Sequence, residues 1–63
     1  MNMKLKEFSA VAVENYIVGV TKEGHKVDRF ENENYDKLAK YQETTVETIH
    51  VYDENTMFVT VKM

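Results

Sequence analysis

The sequence predicts an α+β domain: an antiparallel sheet of four to five strands in the order hairpin, helix, hairpin, with one short helix packed on one face. Three observations carry this. β-branched and aromatic residues crowd residues 8 to 21 and 44 to 52, which favours strand. Residues 57 to 63 alternate, with Met57, Val59, Val61 and Met63 on one side and Phe58, Thr60 and Lys62 on the other, the period of a half-buried strand. Between these blocks Tyr35, Leu38 and Tyr41 recur at helical spacing.

In chain order, residues 8 to 13 have strand composition; the competing reading is an N-terminal helix stacking Leu5, Phe8 and Ala12. Glu14 and Asn15 form a turn, or a bulge in one long strand. Tyr16, Val18 and Val20 then share one strand face, with Ile17 on the other. Residues 21 to 25 make a turn in which Gly24 supplies a positive φ. Residues 26 to 30 return as a strand, with Lys26, Asp28 and Phe30 on one side and Val27 and Arg29 on the other. Asn32 or Asn34 caps a helix over residues 34 to 42, with acidic side chains at its start and Lys37 and Lys40 near its end. In residues 44 to 52, Thr45, Glu47, Ile49 and Val51 share one face and Val46, Thr48, His50 and Tyr52 the other. Residues 53 to 56 make the second hairpin turn. The expected core is Phe8, Val11, Val18, Val20, Phe30, Leu38, Tyr41, Ile49, Val51, Val59 and Val61. A last strand this apolar is either central in the sheet or an edge paired with another chain.

The chain has 63 residues, with 43% hydrophobic and 30% charged, which describes one globular domain, residues 1–63, rather than a disordered segment. A domain of this size buries only roughly 60% of its unfolded surface. With no cysteine for disulfides, self-association is the remaining common device, and a homodimer is expected. No apolar run approaches membrane-spanning length, and the basic opening segment (residues 1 to 6) adjoins no long apolar stretch, so neither a membrane span nor a secretory signal is read. The expected setting is cytoplasmic, in a bacterial host cell, with a phage or other mobile element as the source.

The side-chain inventory argues against catalysis. There is one serine, Ser9, without a nucleophile's sequence context. His25 and His50 have no local partner at ligand spacing, so no metal and no cofactor is expected. Residues 53 to 55 are too short for a calcium loop. Gly19 and Gly24 belong to no phosphate-binding motif. The net charge of −3 opposes nucleic-acid binding as the main activity; the local alternative is a patch of Lys22, Lys26 and Arg29 on the first hairpin.

Charge is placed unevenly. Residues 1 to 30 carry five basic and four acidic side chains; residues 31 to 63 carry three basic and seven acidic. Such a run is either a solubilising face or an acidic surface that docks on a basic cleft, gaining on-rate from charge and affinity from aromatic groups. The mixture of Glu33, Tyr35, Asp36, Tyr41 and Glu43 is the best interface candidate. The candidate aromatic anchors are Tyr35 and Tyr41 on the helix and Tyr52 before the second turn; Tyr35 and Tyr41 are six apart, so one faces the core and the other a partner or a dimer seam.

The run YIVGVTKEGHKV (residues 16 to 27), the acidic helix with Tyr41 near its end, and ETIHV (residues 47 to 51) together resemble the small dimeric uracil-DNA glycosylase inhibitors of small tailed phages. The resemblance covers about 38 positions in order of elements, with few identities. It implies an acidic, aromatic helix surface that imitates DNA and occupies an enzyme's DNA-binding site. Tyr41 is the residue that carries over; for the family's aromatic–acidic pair at the helix start, Tyr35 and Asp36 are the nearest counterparts. The strand over residues 57 to 63 is extra to that pattern. The expectation is a non-enzymatic inhibitor or adaptor of a host protein. The alternatives are a nucleic-acid-binding accessory protein and a self-assembling structural subunit.

Overall fold

Six elements follow one another in the computed structural model, which describes residues 2 to 63: α1 (Leu5–Val11), β1 (Asn15–Lys22), β2 (His25–Glu31), α2 (Tyr35–Lys40), β3 (Thr45–Asp53) and β4 (Thr56–Lys62). The α+β class and the hairpin–helix–hairpin order hold. Two features differ from the expectation. A second helix, α1, precedes the first hairpin, and the sheet is mixed rather than antiparallel throughout.

Residues 5 to 11 are helical because tertiary partners complete the helix start. The Lys4 amide donates to Glu7 Oε1 at 2.9 Å, and the Leu5 and Lys6 amides donate to the carbonyls of Thr44 and Gln42 at 2.9 and 3.0 Å. Helix-start amides that have no partner within the helix are thereby satisfied. Helical spacing then puts Leu5 and Phe8 on one face, both buried, and leaves Val11 in solvent. The strand reading of residues 8 to 13 fails for this reason: their β-branched content is outweighed by two apolar side chains three apart and by the loop that caps them. Val11 accordingly leaves the expected core.

The strand order is β2-β1-β4-β3. Both hairpins are antiparallel, while the central pair β1–β4 is parallel, with Val18 beside Val59 and Val20 beside Val61. Each hairpin turns its more apolar strand inward, and all four of these valines are fully buried. With α2 carrying the chain from the first hairpin to the second, the two inner strands run the same way. The apolar last strand is therefore central.

Both helices cover the sheet face that carries Tyr16, Val18, Val20 and Phe30. The core there joins Leu5, Phe8, Tyr16, Val18, Val20, Phe30, Tyr41, Val46, Val59 and Val61, with Leu38, Ile49 and Met57 packed against it. Phe8 meets Tyr16 edge-on at 5.0 Å, and Phe30 stacks on Tyr41 at 5.8 Å. A register shift between Val46 and Thr48 brings both Val46 and Ile49 against the core, which strict alternation had separated. Val51 lies beyond the helices and is exposed. The first hairpin turns through Glu23 at φ 52° and Gly24 at φ 82°, the two left-handed residues of a type I′ turn.

Candidate functional site

The structure divides the five sequence-predicted contact residues into two groups. Glu33, Tyr35 and Asp36 face solvent at the start of α2, and Tyr35 is 76% exposed. Asn34 caps the helix there, its side-chain oxygen accepting from the Lys37 amide at 3.2 Å. Tyr41 instead belongs to the core. Its ring stacks on Phe30, and its hydroxyl donates to Asp28 Oδ2 at 2.9 Å. The split follows from the turn of the helix: six residues carry Tyr41 about 120° round the axis from Tyr35, out of the solvent-facing side and onto the core. Glu43 is also engaged. It receives Lys4 at 2.7 Å and Lys6 at 2.8 Å, tying α1 to the loop after α2. These two lysines hold its carboxyl down at about 2.

Asp28 plays the same part between β2 and α2. Its carboxylate accepts from Lys37 Nζ at 2.7 Å, from the Tyr41 hydroxyl and from the Arg29 amide. The Lys37 hydrogen bond first, and then that of Tyr41, hold Asp28 at about 2.

The remaining acids at one end of the sheet are different. Glu31, Glu33 and Asp53, with Tyr52, rim a shallow cleft of about 250 Å³ between the start of β1 and the ends of β2 and β3. Asn32 shapes its floor, donating its amide to the Tyr16 carbonyl at 2.9 Å. Among the described residues, no ion pair engages Glu31, Glu33, Asp36 or Asp53; the three ion pairs use Glu43 and Asp28. This end therefore presents solvated carboxylates beside two exposed tyrosines, Tyr35 and Tyr52. The contribution of Glu31, Tyr52 and Asp53 comes from the fold, because β1 and the second hairpin bring distant residues to the same cleft. Among the described residues, no three His, Asp or Glu side chains converge as a metal site, and no helix is long and apolar enough to cross a membrane.

The face of the sheet away from the helices carries a second cluster, of which the sequence offered Lys26 and Arg29, in a patch with Lys22, but not the stack of Phe58 and His50. Phe58, His50 and Tyr52 lie side by side there, with Lys26 and Arg29 over the Phe58 ring. The signal in the sequence was Phe58 itself, a large aromatic on the non-core side of an alternating strand.

Comparison of the chain with protein-family models, with curated proteins and with solved structures finds no match.

Proposed function

We propose that the protein is a non-enzymatic binding domain of a phage or mobile element that docks its acidic, tyrosine-bearing end on a basic surface of a host protein, as an inhibitor or adaptor. The observation that carries this reading is the contrast among the carboxylates. Asp28 and Glu43 are consumed by internal ion pairs, while Glu31, Glu33 and Asp53 rim one cleft with Tyr52, and Asp36 and Tyr35 are exposed at the start of α2, a few residues along the chain from Glu33. Uncompensated charge of one sign speeds encounter with an opposite surface. Tyrosine supplies large contact area and a hydrogen-bonding tip at modest entropic cost. The basic surfaces such an end fits are those that hold nucleic acid, in keeping with the resemblance to uracil-DNA glycosylase inhibitors. The reading includes a homodimer, since a core this small gains from association.

A tagged pull-down from bacterial lysate after nuclease treatment tests the proposal. One stoichiometric partner is expected with the natural chain, and the double variant Glu33→Lys, Asp36→Lys loses it while keeping its circular dichroism spectrum. A partner retained undiminished by the folded double variant removes the acidic end as the docking surface.

A further inference from the structure

The uncovered face of the sheet is built around one ring. Phe58 lies against Gly19 of the neighbouring strand, where a Cβ would come within 3.2 Å of ring atoms Cε1 and Cζ. The missing side chain at Gly19 is what lets the ring lean across β1. His50, opposite Phe58 in register, stacks on it at 5.4 Å with the planes 21° apart, and Tyr52 follows at 6.2 Å. From the other side, Lys26 Nζ lies 5.6 Å and Arg29 Cζ 5.5 Å from the ring centre. Strict alternation puts Lys26 and Arg29 on opposite sides of β2. The register shift at Val20 and Thr21 brings them to the same face. Lys62 joins them by alternation along β4 from Phe58 and Thr60. Among the described residues none of these three cations is in an ion pair.

We propose that this face binds single-stranded nucleic acid, with bases stacking on Phe58, His50 and Tyr52 and phosphates held by Lys26, Arg29 and Lys62. Flat aromatic rings on an open sheet suit the face of an unpaired base, which a duplex keeps inside its own stack. The cations beside the rings match the charge of the strand that joins the bases. The overall charge of −3 is felt at the borders of this face, where Glu23 and Glu47 share a cleft with Lys62 and Glu31 and Glu33 share one with Arg29; Lys26 and Arg29 nevertheless lie over the Phe58 ring itself, where a stacked base brings its phosphate. Glu31, opposite Ile17, stands at the far end of this face from Lys26 and Lys62 and next to Arg29 along β2. The inference goes beyond the docking of the acidic end; the two share Tyr52, and substitutions at Phe58, Lys26 and Arg29, which leave the acidic end intact, separate them.

The test is fluorescence anisotropy with labelled oligodeoxyuridine and oligouridine strands, which differ only in the sugar, and a duplex of the same length, between about 50 and 200 mM salt. Both single strands bind more tightly than the duplex, the tighter of the two identifying the sugar, and log affinity falls against log salt with a slope of about −2 for three phosphate contacts. Phe58→Leu, which keeps apolar bulk, weakens binding about tenfold, within the range for loss of one stacked base. Lys26→Gln with Arg29→Gln makes the salt slope shallower. Tyr52→Leu changes an exposed side chain and reads the stacking term if Phe58→Leu disturbs the fold. No single-strand binding at the lowest salt overturns the proposal. So does equal affinity for the duplex, or an affinity that the aromatic substitutions leave unchanged.

Discussion

Asp28 is the side chain on which β2 and α2 both depend. It faces the helices, its side chain is 16% exposed, and it accepts from Lys37, Tyr41 and the Arg29 amide. Glu43 makes two ion pairs but is 57% exposed, and exposed pairs contribute little because solvent screens them. Both carboxyls sit at about 2, below ordinary values of 3.8 and 4.5. A depressed carboxyl stabilises the fold above its unfolded pKa, and that stabilisation is lost as pH falls through the folded value. The melting temperature therefore declines as pH falls from about 4.5 towards about 2. Asp28→Asn melts lower than the natural chain at neutral pH and declines less across that interval. Melts followed by circular dichroism at several pH values check this; an undiminished acid response in the variant contradicts Asp28 as the main source. The same bonds explain why Tyr41 is unavailable to a partner.

At the scale of elements, the two hairpins and α2 were legible because their signals are local: alternation, a glycine turn, and apolar residues three apart. What was not legible depends on distant chain. Helix α1 is capped by carbonyls of Gln42 and Thr44, and the parallel pairing of β1 with β4 joins segments some forty residues apart. The register shifts beside Val46 and Val20 move side chains between faces in a way that no period-two reading anticipates. That is why Tyr52, named as an aromatic anchor, was not joined to Glu31 and Asp53 in one cleft, and why Lys26 and Arg29 were not expected over an aromatic ring. The first hairpin also holds a local conflict. Glu23 adopts φ 52° without being glycine or asparagine, a conformation costing a side chain of its kind roughly 1–2 kcal/mol. Glu23→Asn creates the Asn-Gly pair that type I′ turns prefer and raises the melting temperature by about 4 °C or more for each kcal/mol relieved. An unchanged or lowered melting temperature contradicts the turn assignment.

Across the whole molecule, charge and aromatic side chains are sorted by position. The core side is apolar and sealed by Asp28 and Glu43; one end gathers solvated acids with Tyr35 and Tyr52; the open face carries Phe58 beneath Lys26 and Arg29. The radius of gyration is 10.5 Å, close to the value of about 11 Å for a compact chain of this length, so these surfaces lie within a short reach of each other. The proposed docking end and the proposed strand-binding face together would suit a domain that acts where host proteins meet nucleic acid. In the proposed function the acidic end does the docking. Stopped-flow association with the captured partner measures it most directly, comparing the natural chain, Glu33→Lys with Asp36→Lys, and Tyr35→Ala at low and raised salt. The account predicts an on-rate about tenfold lower for the charge reversal at low salt, a smaller difference at high salt, and a faster off-rate for Tyr35→Ala. An on-rate that survives the charge reversal at low salt would contradict it.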